Sequence, residues 1–354
     1  MNRAPWNWPD AGWITRDEML KIPAAEISSP CCFDTTPAVS VLMMTRNHAP
    51  YLSEAVRSVI DQDFKEPIEI LIGEDFSSDQ TLEVAISLQN QYPRLIRVFH
   101  ADKNVGITSN FLRLVAKARA PYLALLEGDD YWTHPSKLTL QIEQLRHYPQ
   151  ASLAAAATAN RTPCLPRKKF YTVSDLLRRY GVHTSTLVIR AEHLTCYPRF
   201  PDIIGWITMT MGYLAARGDC IYLDTVVSFY RRHEGGLWHN AERLNRLHRS
   251  RQCIDALDAY FFHRFRRELL DRELWIYGMD LTLPQTGGVS HWLQSWSILI
   301  GLIPRLAHRA PLSTCLLFTR LLLQPMRSGW ITVRRRIALR TRLRPLIKFH
   351  TSYT

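Results

Sequence analysis

The chain has 354 residues and a mass of 41.0 kDa, which fits one large domain with an appendage, or two domains, and excludes a single small domain. Its 46% hydrophobic and 21% charged residues exclude a wholly disordered chain. The formal charge of +12 lies at one end: residues 1–240 hold 25 basic and 25 acidic side chains, and residues 241–354 hold 19 and 7. This is not the pattern of a uniformly basic nucleic-acid-binding protein, so we expect a neutral unit followed by a cationic region.

The cysteines and the apolar segments bear on the cellular compartment. The 7 cysteines are scattered, odd in number and without a C-x-x-C pair, so they predict neither a disulfide framework nor a zinc site. Residues 1–10 lack the apolar core of a signal peptide. No late apolar stretch reaches the roughly 20 residues that a spanning helix needs. We therefore expect a cytoplasmic protein without a spanning helix.

The first half of the chain alternates apolar strands with amphipathic helices. Residues 1–37 are expected to form an irregular arm with one short helix at 15–22. The strands that follow are predicted at 38–45, 68–73, 95–99 and 122–126, and the helices at 50–61, 79–92 and 108–118. Continuous apolar runs such as AVSVLMMT at 38–45 are typical of strands buried on both faces. The alternation predicts a parallel, doubly wound α/β sheet, in which ligands bind at the carboxyl ends of the strands.

The pattern is less regular after residue 150. Residues 151–157 fit a strand or a helix, 184–190 a strand, 204–216 a helix, and 221–223 and 226–230 two short strands. Residues 241–280 have a helical pattern with charged faces, and short basic amphipathic helices are expected beyond them.

Three carboxylates follow the fourth predicted strand, in the segment Glu127-Gly128-Asp129-Asp130. Like charges this close repel one another unless a positive charge lies between them. A hard divalent cation meets this need, since it binds one or two carboxylates together with phosphate oxygens. The alternative is an acidic turn that caps a helix, but the position at a strand's carboxyl end favours the cation.

Polar residues also follow the first two strands. Glu74 and Asp75 can accept hydrogen bonds from a ribose or a base N–H, whereas the Ser77–Asp79 segment fits an ordinary helix-capping loop. Thr45 and Asn47 follow the first strand and could meet a nucleotide; an ordinary loop explains them equally well.

Together these segments resemble the nucleotide-binding half of family 2 glycosyltransferases of the GT-A fold. The resemblance rests on S-V-L-M-M-T-R-N-H, G-E-D-F-S-S-D-Q-T, D-K-N-V-G and E-G-D-D-Y-W-T-H-P-S-K-L, in this order and spacing between Val39 and His147. The last segment is similar to members that build bacterial surface polysaccharides. The resemblance implies a GT-A, Rossmann-like α/β fold with a mainly parallel sheet flanked by helices, to which this chain adds a basic α-helical C-terminal extension.

The resemblance also implies the domain organisation. Residues 1–37 would be an N-terminal arm, 38–150 the nucleotide-sugar-binding half and 151–240 the acceptor-side half of the same catalytic domain. Residues 241–354 would form the basic helical region.

The resemblance assigns roles to the carboxylates and to a later segment. Asp75 would contact the base or ribose, with Thr45, Asn47 and Glu74 near the donor. Asp129, Asp130 and Glu127 would match the metal site, holding Mg²⁺ or Mn²⁺ against the diphosphate.

A later segment, residues 230–238, resembles the family's Y-R-x-H-x-G-G-x-W. In it His233 would complete the metal shell, and Arg231 and Trp238 would contact the substrate. The alternative for His233 is a half-exposed structural histidine.

The expected general base is the one departure from the family pattern. Family members carry an Asp directly before a Trp, and here Gly205 precedes Trp206. Asp202 is the nearest acid in that segment and is the predicted catalytic residue, although a surface-turn role explains it equally well. A catalytically impaired relative that binds nucleotide-sugars therefore stays a second hypothesis.

The basic end of the chain combines tryptophans, leucine-rich faces and arginines between Trp292 and Lys348. Such a pattern is typical of a helix lying on an anionic membrane surface, and equally of an accessory helical domain. No nucleic-acid recognition motif is present.

We therefore expect an inverting, metal-dependent glycosyltransferase at the inner face of the cytoplasmic membrane. It would transfer a sugar from a nucleotide-diphosphate sugar to a cell-envelope or exopolysaccharide acceptor, either a glycan or lipid-linked. The alternatives are a silent nucleotide-sugar-binding or assembly protein and, less favoured, a nucleotidyltransferase. The last would need a Gly-rich phosphate loop with a Lys near the first strand, which the Thr45–His48 segment lacks.

Overall fold

The computed structural model describes residues 12–27, 35–160, 168–178, 181–200, 205–236 and 243–282. Two predicted site residues, Asp202 and Trp238, lie outside these ranges, as does the basic region after residue 282. Their predicted roles stay predictions.

The described residues alternate strands and helices as the apolar runs predict. The strands are β1 (Trp13–Thr15), β2 (Ala25–Ile27), β3 (Val39–Thr45), β4 (Ile68–Glu74), β5 (Ile96–His100), β6 (Tyr122–Glu127), β7 (Tyr131–Trp132), β8 (Ala151–Ala159), β9 (Phe170–Tyr171), β10 (Val188–Arg190), β11 (Cys196–Pro198) and β12 (Asp219–Phe229). The helices are α1 (Arg16–Leu20), α2 (Leu52–Ile60), α3 (Thr81–Gln91), α4 (Ile107–Lys117), α5 (Lys137–His147), α6 (Val173–Arg178), α7 (Trp206–Ala215), α8 (Arg243–Tyr260) and α9 (Arg266–Thr282).

The main sheet has the order β2-β5-β4-β3-β6-β10-β8-β12-β7, with β9 also paired to β12. Strands β5, β4, β3 and β6 run parallel. They are the four strands that the repeated strand–helix pattern predicts, which confirms the predicted α/β fold. The rest of the sheet beyond β6 is mixed, because β10 runs antiparallel to both β6 and β8 while β12 runs parallel to β8.

Helices cover both faces of the parallel part. Alternate residues of β3, namely Val39, Val41 and Met43, are buried in a core formed with α2, α3 and α5. Helix α4 contacts β3 and β4 and contributes no residue to that core, so it covers the opposite face. This layering buries both faces of the central strands and leaves their carboxyl ends as the edge at which polar side chains collect.

Three segments differ from the sequence predictions. The N-terminal arm is partly regular, since β2 adds an edge strand antiparallel to β5 and β1 pairs with β11. Residues 184–186 form a 3-10 turn before the short strand β10, in which the backbone N–H groups of Thr186 and Leu187 donate to the carbonyl oxygens of His183 and Thr184 (3.0 Å each). The two short strands predicted at 221–230 are one strand, β12, whose register shifts between Leu223 and Val226.

The segment 241–280, which was predicted to be helical, contains the two helices α8 and α9. The chain divides into two compact units between Leu269 and Leu270, within α9. In the part of the chain that is described, no helix has the length and hydrophobicity that crossing a membrane requires.

Candidate functional site

The sheet register brings polar residues of neighbouring strands to one edge. Thr45 at the end of β3 pairs with Glu74 of β4, Glu74 pairs with His100 of β5, and Met44 pairs with Glu127 of β6. The carboxyl ends of all four parallel strands therefore meet beside the Glu127–Asp130 turn.

The turn after β6 packs closely on the end of β3. The backbone N–H of Gly128 donates to the Met44 carbonyl oxygen (3.0 Å). A Cβ atom at position 128 would lie 2.6 Å from Thr45 Oγ1, so only glycine fits without displacing the threonine. This close approach directs the two aspartates that follow along the edge of the sheet.

Asp129 meets two histidines from distant parts of the chain. Its Oδ2 lies 3.0 Å from His233 Nε2 and 3.6 Å from His48 Nε2. Burial favours the neutral acid, but the hydrogen bond with His233 and the nearby imidazoles hold the pKa of Asp129 below its usual value. Burial is also the main reason that the pKa of His48 is lowered. An ionised carboxylate between two imidazoles is a typical divalent-metal donor set.

Asp130 faces the other side of the turn. Its Oδ1 accepts the backbone N–H of Arg231 (3.0 Å), and its Oδ2 lies 3.4 Å from His183 Nδ1. Burial, and then the charge of Asp129, raise the pKa of Asp130 well above its usual value. A bound divalent cation would act in the opposite direction and favour the ionised form of this carboxyl group.

Arg231 ties the end of β12 to the turn. Its Nε donates to the Asp129 carbonyl oxygen (3.0 Å), and its Nη2 donates to the Glu54 carboxylate. The guanidinium also lies over the rings of Tyr51 (4.8 Å) and Tyr131 (5.3 Å). This cation is thus held beside the carboxylates, where it can neutralise phosphate charge.

Asp75 and Glu74 are buried and engaged within the protein. Asp75 accepts hydrogen bonds from the backbone N–H groups of Val105 (2.7 Å) and Gly106 (3.2 Å). These bonds connect the loop after β4 to the loop after β5. Glu74 accepts the N–H of Ser77 (2.7 Å) and contacts His100 Nδ1 (2.6 Å). Both carboxylates shape the loops at this edge, and their predicted contacts with the donor stay predictions.

Asn47 locks the loop after β3 onto the loop after β4. Its side-chain Oδ1 accepts the N–H of Ser78 (2.8 Å), and its own N–H donates to Ser77 Oγ (2.9 Å). Its positive φ of 56° is one that Asn tolerates better than most residues. The side chain is therefore occupied in loop-to-loop contact at the rim of the site.

The ligand atoms at this edge form two groups rather than one. His48, Asp129 and His233 form the first, Glu127, Asp130 and His183 form the second, and the ligand atoms of each group lie within 4.8 Å of one another. Two buried atoms here have no hydrogen-bond partner among the described residues: Thr45 Oγ1 and His48 Nδ1. Buried polar atoms of this kind normally have partners, so the donor set fits a bound divalent cation.

Sequence reasoning placed Thr45, Glu127, Asp129, Asp130, Arg231 and His233 at this edge, and the structure brings these six together. It did not predict that His48 and His183 lie beside the two aspartates. His48 belongs to the loop after β3, and His183 directly precedes the Thr184–Thr186 turn. The available signal in the sequence was a polar residue close to a buried strand. The pairing of each histidine with an aspartate could not be predicted, because it depends on tertiary contact.

Gly205 occupies a position that disfavours any side chain. It is the N-cap of α7 with φ of 122°, and a Cβ there would lie 2.8 Å from Cys253 Sγ. The departure from the Asp-Trp pattern is thus built into the local backbone and packing.

Comparison with known proteins agrees with this fold. The sequence model described as glycosyl transferase family 2 matches residues 40–196. An uncharacterised protein of Mycobacterium tuberculosis is 31% identical over 216 residues, which cover 57% of this chain and 61% of that protein. The chain thus spans less than two thirds of that relative's length.

Two further proteins extend the comparison. A GalNAc(5)-diNAcBac-PP-undecaprenol beta-1,3-glucosyltransferase of Campylobacter jejuni is 31% identical over 94 residues, 27% of this chain and 30% of that protein. A mannosyltransferase from Pyrobaculum calidifontis, solved with GDP-Man and Mn²⁺, superposes with a TM-score of 0.53 over 89% of this chain and 92% of that one. At 17% identity this likeness shows the fold alone. The segment 40–196, which includes the acidic turn after β6, thus matches glycosyltransferase family 2.

Proposed function

We propose that this protein is an inverting glycosyltransferase that uses a nucleotide-diphosphate sugar and a divalent metal, Mg²⁺ or Mn²⁺. The observation that carries the proposal is the Asp129 carboxylate, held between His48 and His233 at the carboxyl edge of the sheet. A diphosphate leaving group needs positive charge beside it, and this edge offers both a donor set for a cation and the guanidinium of Arg231.

The proposed role of each residue follows from its position at this edge. Asp129, with His48 and His233, would hold the metal, which supplies positive charge to the departing diphosphate. Glu127 and Asp130 would complete the acidic edge. Arg231 is fixed by its contacts with the Asp129 carbonyl and Glu54, so it presents its charge without reorganisation. The loop held by Asp75 would border the base and ribose.

The acceptor belongs to the cell envelope or to an exopolysaccharide in this proposal, and a lipid-linked acceptor is favoured. The name of the Campylobacter jejuni relative specifies an undecaprenol-linked acceptor for that protein. Positive charge is concentrated after residue 240. This favours a location of the enzyme at the anionic cytoplasmic face of the membrane.

A donor screen tests the activity. UDP-, GDP- and dTDP-sugars are incubated with the full-length protein and Mn²⁺, and released nucleoside diphosphate is followed with and without a chelator. We expect release from one nucleotide class, lost on chelation. Release from none of them, with or without lipid-linked acceptor, would contradict the transferase proposal.

In the same assay, full turnover by Asp202→Asn would show that Asp202 is not the general base.

Gly205 favours a second candidate function, a nucleotide-sugar-binding or assembly protein without turnover. The backbone at the start of α7 leaves no room for the expected acid. In this candidate the donor binds with metal at the same edge but is not consumed. Metal-dependent donor binding without release of nucleoside diphosphate would support it.

Gly205→Asp is expected to destabilise the protein instead of supplying the base. The φ of 122° strains any L-residue, and the new Cβ meets Cys253 Sγ at 2.8 Å. We expect a loss of about 2 kcal/mol in unfolding free energy, from backbone strain and overpacking, measured by urea unfolding. Cys253→Ala in the same background should recover part of that loss. Unchanged stability together with raised turnover would show that this position accepts a base.

A further inference from the structure

Phe76 combines two unfavourable features. Its residue surface is 50% exposed, and its backbone has a positive φ of 54°. A positive φ is an outlier for a bulky side chain, and glycine or asparagine would adopt it at lower cost. Among the described residues, no aromatic or cationic side chain packs on the Phe76 ring. The fold therefore gains little from a phenyl ring at this position.

The loop that carries Phe76 is held on both sides. Before it, the Asp75 N–H donates to the Thr45 carbonyl oxygen (3.0 Å). After it, the Ser77 N–H donates to Glu74 Oε1 (2.7 Å), and Ser77 Oγ accepts the Asn47 N–H (2.9 Å). These bonds fix the backbone in the left-handed region, so the surrounding structure sustains the strain at Phe76. Strain sustained in this way is characteristic of ligand-binding positions.

The position of Phe76 indicates a class of ligand. It follows Asp75 at the carboxyl edge of β4, between the loop after β3 and the loop at Val105–Gly106 that Asp75 holds. An exposed aromatic ring beside a carboxylate suits a planar, nitrogen-bearing ring, whose face stacks on the phenyl group. We propose that Phe76 is a binding residue that stacks on the base of the nucleotide, an inference that rests on the proposed function.

The experiment compares base-bearing and base-free ligands on the full-length protein. Binding of UDP, GDP, dTDP and inorganic pyrophosphate, each with Mn²⁺, is measured by calorimetry for wild type, Phe76→Asn and Phe76→Tyr. Asn tolerates the positive φ and lacks a ring, whereas Tyr retains one. We expect Phe76→Asn to bind the preferred nucleotide about tenfold more weakly, in the range known for base–aromatic stacking. Pyrophosphate binding and the Tyr variant should change less than about twofold.

Phe262→Asn is the matched control, because Phe262 is also exposed (55%) with a positive φ of 50° but lies between α8 and α9. It should leave nucleotide binding unchanged, and the thermal midpoint of Phe76→Asn should be no lower than that of wild type. Equal nucleotide binding by wild type and Phe76→Asn would overturn the inference and leave the proposed function standing. An equal loss for pyrophosphate would also overturn it. Failure of wild type to bind any of the three nucleotides would overturn both.

Discussion

Asp129→Ala is expected to weaken metal-dependent nucleotide binding by at least about a hundredfold. The carboxylate lies between His233 Nε2 (3.0 Å) and His48 Nε2 (3.6 Å), so its removal leaves two imidazoles without the charge that a divalent cation requires. Loss of an outer-shell partner alone costs about 10- to 100-fold in metal affinity, and loss of a ligand should cost more. Calorimetric titration of UDP and GDP, with and without Mn²⁺, measures the effect.

The control for this variant is a carboxylate of the same type away from the edge. Asp63 is 62% exposed and pairs with Lys65 on the surface, so Asp63→Ala should bind nucleotide as the wild type does. If Asp129→Ala keeps its metal-dependent affinity, the group formed with His48 and His233 does not hold the metal.

The stability of the protein is expected to increase with pH through Lys137. Its ammonium group is fully buried and lies 4.3 Å from the centre of the Trp132 ring, without a hydrogen-bond partner among the described residues. Burial lowers the pKa of Lys137 to about 7, whereas the pKa of a lysine in the unfolded chain is about 10.4. Between these values the unfolded chain binds more protons, so stability increases by up to about 1.4 kcal/mol per pH unit.

Urea unfolding at pH 7 and pH 9 of wild type and Lys137→Met measures this effect. The wild type should gain stability relative to the variant as the pH rises, since the cost of burying the charge disappears. Lys65→Met is the control, because the Lys65 side chain is 92% exposed. Identical pH dependence in wild type and Lys137→Met would mean that Lys137 does not titrate in this range.

The parallel part of the fold could be predicted because its signals are local. An uninterrupted apolar run such as that of β3 is compatible with little except a strand buried on both faces. The later strands were harder to predict because their own residues do not indicate how the strands are buried and paired. The polar Asp224 interrupts the apolar pattern of β12, yet the strand continues, since a shift of register accommodates the break.

The candidate site shows the same division between local and distant information. The order of the chain placed Glu127, Asp129 and Asp130 after a buried strand, and the parallel alternation indicated that this end of the strand faces a ligand crevice. These features indicated the resemblance to the family and the acidic edge, because each depends on residues close together in the chain.

Only the tertiary structure decided how the acidic residues are paired. His233 reaches Asp129 across 104 residues of chain, and His183 reaches Asp130 from the turn before β10. The strain at Phe76 and the closed environment of Gly205 likewise depend on contacts with other loops and helices. The sequence by itself determined the parallel α/β half and the position of the acidic residues at its edge. Packing decided which histidine lies beside which carboxylate, because such pairing depends on distances in space that no local pattern encodes.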